Sequence, residues 1–306
     1  MNLHRKQFTS LALAAIATGF WGSALAQGAY PTKTVTMVVP TAAGGTTDLS
    51  ARMLAQALAP HACVVSVDVA GRGHSDWLDD PMAYTVPTYA TDLAVLLAHL
   101  RQRHAAAIGS AEPYALQIDW VGTSMGGLIG MALAAQPALA LRRLVLNDVG
   151  PAITWSSVQR MQTYVGQYGQ YRDLDEAAAA LWTLSQGFGP VLPEVWREMS
   201  DHMMRPGTDG QLTLHYDPAI GVPVRAMTPE AAATGEATLW ALYDQIQAKT
   251  LLIRGQASDL LTPETATAMT QRGPRAQLDT WPGFGHAPTL TGDDQIAVVA
   301  KFLLGD

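Results

Sequence analysis

Residues 117–130 read Gln-Ile-Asp-Trp-Val-Gly-Thr-Ser-Met-Gly-Gly-Leu-Ile-Gly, and within them Gly122-Thr123-Ser124-Met125-Gly126 fits the pattern G-x-S-x-G. An apolar, strand-like run, Ile118 to Val121, precedes it, and a small-residue helical run, Met125 to Ala135, follows. Strand, tight turn and helix are what a nucleophile elbow needs. The turn holds the serine in a strained backbone conformation, and Gly122 and Gly126 remove side chains that would clash beside it. The helix N-terminus directs free N–H groups and the positive end of its dipole at the serine oxygen. The chemistry indicated is nucleophilic acyl transfer, with Ser124 as the attacking group.

A serine hydroxyl needs a base, and the base needs an orienting acid. Residues 250–254, Thr-Leu-Leu-Ile-Arg, predict a buried strand, and the following Gly255-Gln256-Ala257-Ser258-Asp259 predicts a loop carrying a carboxylate. Thr262 is placed to cap a helix that starts at Pro263-Glu264. A further strand, Ala276 to Trp281, runs into the loop Pro282-Gly283-Phe284-Gly285-His286-Ala287-Pro288. Of the chain's eight histidines, His286 alone sits in such a glycine-rich loop near the C-terminus. Ser124, His286 and Asp259 form the expected triad. Asp148, just past the predicted strand Arg143 to Asn147, is the alternative acid. Each of these residues would lie at the carboxyl end of a parallel strand, where open α/β sheets bind ligands.

The positioning elements follow from the pattern. Strands are expected near 35–39, 63–67, 117–121, 143–147, 250–254 and 276–281, with helices between them. This alternation predicts an α/β chain with a mainly parallel sheet and helices on both faces. About a hundred residues separate Asn147 from Thr250. Their helical, aromatic-rich text predicts a helical cap over residues 150–245, and the core is assigned to 27–149 and 246–306. Trp155, Tyr164, Tyr168, Tyr171, Trp182, Phe188, Trp196, Trp240 and the pair Met203-Met204 either line an apolar substrate pocket there or pack the cap. Strand text in this region is confined to Gln211 to His215.

The chain has 306 residues, 48% of them hydrophobic and 15% charged, with a net charge of −7. The acidic balance argues against nucleic acid as a partner and gives no reason to invoke an anionic membrane. The single cysteine, Cys63, lies in an apolar run and is expected to be a core thiol. Metal-ligand spacing such as H-x-x-x-H or C-x-x-C is absent from the sequence, so neither a metal nor another cofactor is expected. His74 and Asp68 are read as polar loop residues, with Asp68 tying down the loop around Gly71 and Gly73.

From about residue 57 onward the chain resembles the α/β-hydrolase superfamily, in particular bacterial serine esterases. The resemblance is carried by Asp68-Val-Ala-Gly-Arg-Gly-His-Ser-Asp-Trp77, Val121 to Gly127, Leu144-Val-Leu-Asn-Asp-Val-Gly-Pro151, Leu251-Leu-Ile-Arg-Gly255 with Asp259, and Gly283-Phe-Gly-His286. It implies the α/β-hydrolase fold and a Ser124–His286–Asp259 triad without a cofactor, with the backbone N–H of Met125 in the oxyanion hole. It also implies a second oxyanion donor in the loop after the first buried strand, at Thr41 or Ala42. The leading antiparallel strands usual in the family have no counterpart here. The implied activity is hydrolysis of small to medium carboxylic esters. Lactonase, amidase and carbon–carbon hydrolase chemistry use the same framework.

Residues 1–26 combine a basic start (His4, Arg5, Lys6), a short apolar stretch from Leu11 to Trp21 and Ala24-Leu25-Ala26, the pattern of a Sec signal peptide cleaved after Ala26. Periplasmic or secreted location is the expectation. Residues 29–56 resemble the N-terminus of periplasmic solute-binding receptors of tripartite tricarboxylate transporters, which makes carboxylate binding the alternative function.

Overall fold

The computed structural model describes residues 34–39, 46–109, 116–167, 169–207 and 209–305. The expected leader, residues 1–26, lies outside them, as do Thr41, Ala42 and Tyr168.

The core begins with β1 (Thr34–Val39), α1 (Thr46–Leu58), β2 (Ala62–Ser66), α2 (Val86–Ile108), β3 (Ile118–Thr123), α3 (Met125–Ala134) and β4 (Leu141–Asn147). An inserted segment follows, with α4 (Trp155–Tyr164), β5 (Gln170–Tyr171), α5 (Leu174–Ser185), α6 (Pro193–His202), β6 (Met204–Pro206), β7 (Leu212–Leu214), α7 (Gly221–Ala226) and α8 (Pro229–Tyr243). The core resumes with β8 (Lys249–Gly255), α9 (Pro263–Gln271), β9 (Gln277–Trp281) and α10 (Asp293–Leu304).

The six core strands form one sheet in the order β2-β1-β3-β4-β8-β9, and all neighbours pair in parallel. Among the described residues no strand precedes β1. Burial on both faces explains why the inner strands β3, β4 and β8 read as largely apolar runs, whereas the edge strand β9 is mostly exposed. Alternate side chains feed two separate cores. Trp120, Leu144, Leu146 and Leu252 face one side, where α2 and α3 supply Tyr89, Leu93, Leu97, Ile129 and Met131. Val121, Val145, Leu251 and Ile253 face the other, where Leu54 and Leu58 of α1 meet Val299 and Leu303 of α10. Cys63 is half-buried rather than enclosed, packed against the first of these cores from the β2 edge.

From β1 the chain moves to β2 on one side and to β3 on the other, so the order reverses between β1 and β3. A crevice opens at the carboxyl ends of strands at such a reversal. The elbow turn after β3 lies there.

The inserted segment carries a small antiparallel sheet, β5-β7-β6, which its helical text did not signal beyond Gln211 to His215. Two- and three-residue strands are too short to show an alternating pattern. Most of its aromatics pack one another. Trp196 is buried, with Trp182 at 5.0 Å and Phe188 at 6.2 Å between ring centroids, among Met199, Met203, Met204 and Tyr171. Trp240 meets Tyr243 edge-to-face and lies under Arg272.

Candidate active site

Ser124 occupies the single residue between β3 and α3, at φ 49° and ψ −118°. A non-glycine residue there stores roughly 1–3 kcal/mol of strain. The glycines make this turn possible. A Cβ on Gly122 would lie 2.3 Å from the carbonyl carbon and oxygen of Gly126, and one on Gly127 would lie 2.4 Å from Val149 Cγ1. Ser124 stands at the N-cap position yet its side chain caps nothing. Its Oγ is 3.0 Å from His286 Nε2. Met125 supplies the first N–H of α3, which has no partner inside the helix. Thr41 and Ala42 fall outside the described residues, so the second expected oxyanion donor has no geometry here.

His286 follows β9 in its glycine-rich loop. Its Nδ1 is 2.8 Å from Asp148 Oδ2. The His286 side chain is 15% exposed, and that of Asp148 is fully buried. Asp148 follows β4 directly, at φ 56°, and its own N–H donates to Ile253 O. Ser258 Oγ donates to Oδ2 at 2.6 Å, and the Gly255 N–H donates to Oδ1 at 2.8 Å. An ionised carboxylate only accepts, so the third donor to Asp148 is His286 Nδ1–H. Nε2 is then left unprotonated towards Ser124, as a base requires.

Asp259, the acid expected from the sequence, is elsewhere. Its carboxylate pairs bidentately with Arg160 Nε at 2.9 Å and Nη2 at 3.0 Å, and its side chain is 52% exposed. Its backbone carbonyl accepts from Thr154 Oγ1 and Ser157 Oγ, tying the β8 loop to the start of α4. The reason is positional. The loop after β8 presents Ser258 to the site, and the next side chain points to the surface.

Three residues without a role in the sequence reading hold this arrangement. Asn147 Nδ2 donates to Thr123 Oγ1 at 3.0 Å and to Pro288 O at 2.8 Å, joining the elbow to the histidine loop. Gly187 O accepts from Gly285 N–H at 2.7 Å, and a Cβ on Gly187 would lie 3.0 Å from His286 O. Ser258 fixes Asp148 and accepts from the Leu261 N–H at 3.1 Å. Asn147 and Ser258 are short polar residues at strand ends or in loops, a weak signal shared with many turns. Gly187 carried no signal, because its partner loop is almost a hundred residues away. Hydrogen bonds to charged groups contribute about 1.5–3 kcal/mol. Ser258→Ala is therefore expected to lower kcat about tenfold or somewhat more, measured by steady-state ester hydrolysis. An unchanged kcat would remove Ser258 from the support of Asp148.

Asp68 serves structure. Asp68 Oδ2 accepts from the His74 N–H, and Asp68 O accepts from Ser75 Oγ, so Asp68 does tie down its loop. No group of His, Cys, Asp and Glu among the described residues is arranged to hold a metal ion. No helix among them is long and apolar enough to cross a membrane.

Residues 20–301 match the alpha/beta hydrolase family. The chain belongs to that family. The match reaches back through β1 and α1, the stretch whose text resembles transporter receptors, and both elements sit in the hydrolase core. This hydrolase is 43% identical to the 3-hydroxybutyrate-oligomer hydrolase of Cupriavidus necator over 255 residues, covering 82% of this chain and 83% of that protein. It is 30% identical to a pimeloyl-[acyl-carrier protein] methyl ester esterase of Xanthomonas campestris pv. campestris, covering 80% and 85%. Among solved structures, an alpha/beta hydrolase from Novosphingobium aromaticivorans superposes with a TM-score of 0.69 at 30% identity, covering 90% of each chain. A hydrolase from Rickettsia typhi reaches 0.74 at 23% identity, covering 90% of this chain and 88% of that one, and shows likeness of fold.

Proposed function

We propose that this hydrolase is a serine esterase that cleaves short oligoesters of 3-hydroxy acids through an acyl-enzyme. The observation that carries the reading is the continuous chain Ser124 Oγ–His286 Nε2 at 3.0 Å and His286 Nδ1–Asp148 Oδ2 at 2.8 Å. The substrate class is taken from the relative that is 43% identical, named for 3-hydroxybutyrate oligomers.

In this mechanism His286 Nε2 removes the Ser124 proton as Oγ attacks the ester carbonyl carbon. Asp148 keeps the imidazole in the required tautomer and stabilises the imidazolium. The Met125 N–H donates to the oxyanion, an interaction strengthened by the dipole of α3. His286 then returns the proton to the departing alkoxide oxygen, and the hydroxy acid leaves. Water, deprotonated by the same imidazole, attacks the acyl-enzyme, and Ser124 is released with its proton restored. The products are one carboxylic acid and one hydroxy acid per ester.

A sulfonyl fluoride titration of purified protein tests this reading with short 3-hydroxybutyrate oligomers as substrate. Activity is expected to fall in proportion to reagent bound, reaching zero at one label per chain, with the label on the peptide that carries Ser124. Turnover that persists in fully labelled protein, or a label on another residue, overturns it.

A further inference from the structure

The loop Gly71-Arg72-Gly73 places an arginine beside the elbow. Arg72 is 9% exposed, and its Nη2 lies 4.0 Å from Met125 Sδ, on the residue that follows Ser124. Its surroundings are tyrosines rather than carboxylates. Tyr89 and Tyr216 lie close enough to act on its charge, with Tyr84 beyond them. Burial raises the pKa of Tyr89 and of Tyr216, and burial with a hydrogen bond to Asp217 pushes Tyr84 up to about 12, so all three stay neutral. Arg72 forms no ion pair among the described residues. The acid of this neighbourhood, Asp217, is committed elsewhere, accepting from Tyr84 Oη at 2.5 Å and from the Ala219 N–H at 2.9 Å. Tyr89 Oη stands beside the guanidinium as a neutral hydrogen-bonding neighbour, though not in full bonding geometry, and Arg72 Nε completes no hydrogen bond.

This arginine is also held firmly in place. The Gly73 N–H donates to His215 O at 3.0 Å, and the Asp217 N–H donates to Gly71 O at 2.8 Å, so the inserted segment clasps the loop on both sides of Arg72. Gly71, at φ 80°, and Gly73, at φ 52°, lie against Tyr84 and Asp68 with no room for a Cβ. A buried cation without a counter-charge is costly, and proteins normally pair such a group or neutralise it. Arginine stays protonated. A guanidinium fixed against the Met125 side chain, next to the nucleophile in sequence, and without an anionic partner among the described residues is suited to receive an anion from the substrate, and its planar fork matches a carboxylate.

We infer that Arg72 binds the free carboxylate of the ester substrate and so selects oligoesters cleaved at their acid end. The inference rests on the esterase reading above and names the part of the substrate that the site recognises. In a linear oligomer of a 3-hydroxy acid, the free carboxylate belongs to the terminal unit. That unit is joined to the rest of the chain through its alcohol oxygen, so at the last ester the carboxylate lies on the leaving-group side. A guanidinium one side chain away from Ser124 can hold it while the carbonyl rests against the Met125 N–H. Release of one hydroxy-acid monomer per turnover follows.

The test compares the linear 3-hydroxybutyrate dimer with its methyl ester, which keeps the scissile bond and removes the charge. Wild type is expected to prefer the acid, mainly through a lower KM. In Arg72→Gln the ratio of kcat/KM for the acid over the methyl ester is expected to fall roughly 30-fold, the loss of a charge-assisted hydrogen bond, with partial recovery in Arg72→Lys. Equal losses on both substrates would make Arg72 a packing residue and overturn the assignment alone. Wild type inactive on both overturns the oligoester reading, and the assignment with it. A wild-type measurement covers variants that fail to fold. Free 3-hydroxybutyrate is expected to compete with p-nitrophenyl butyrate more strongly than methyl 3-hydroxybutyrate does. Equal inhibition by the two overturns the role of the charge.

Discussion

Ser124→Ala is expected to lower kcat for ester hydrolysis by about 10⁶-fold, the order of loss when the nucleophile of a triad enzyme is removed. The remaining groups cannot replace it. His286 Nε2 faces Ser124 Oγ at 3.0 Å and would have only water to activate. The Met125 N–H would still meet a carbonyl oxygen, which sustains a residual rate above that in water. Folding is expected to survive, because alanine keeps the Cβ that already tolerates φ 49° and the serine hydroxyl caps no helix. Thermal denaturation of both proteins separates loss of chemistry from loss of structure. A variant that folds and retains more than a tenth of the wild-type rate would remove Ser124 as nucleophile.

Much of the core was legible because buried parallel strands leave a direct trace. Each of the six expected strands coincides with an observed one to within two residues at either end, from Thr34–Val39 to Gln277–Trp281. In the inner strands β3, β4 and β8, burial on both faces keeps the central positions largely apolar, as in Trp120-Val121, Leu144-Val145-Leu146 and Leu251-Leu252-Ile253. The elbow was legible for a related reason. A serine turn between β3 and α3 needs glycine at 122, where any Cβ would enter the backbone of Gly126, so the geometry is written into residue type. The inserted segment was less legible. Its helices were legible from helical, aromatic-rich text alone, and the structure adds the caps Thr154, Asp173 and Thr228. Its short strands depend on pairing between β5, β6 and β7 rather than on local pattern. The aromatic residues there could not be divided by sequence into pocket and core. The centroid separations of Trp182 and Phe188 from Trp196 place those three in the segment's own core.

The acid was the hardest residue to place, and the second large effect turns on it. Asp148→Asn is expected to lower kcat about 10⁴-fold, whereas Asp259→Asn should stay within about threefold of wild type. Both aspartates follow parallel strands, but they differ in what fixes them. Asp148 stands one residue past β4, with its N–H on Ile253 O and its carboxylate on Gly255, Ser258 and His286. Asp259 stands four residues past Gly255, where spacing no longer determines direction, and its side chain ends on exposed Arg160. Such a surface pair contributes about 0–1 kcal/mol. An asparagine at 148 can keep its oxygen on the Gly255 N–H, and the Ser258 hydroxyl, which faces the other position, can turn to accept from the amide NH2, so the fold is kept. Its amide, however, can donate towards His286 Nδ1, which favours the tautomer with the proton on Nε2. That nitrogen then cannot take the proton from Ser124. Steady-state rates of the two variants decide the matter: a loss confined to Asp259→Asn would return the acid to the β8 loop, and equal losses would mean that neither aspartate acts on His286 in the way the bonds at 148 indicate.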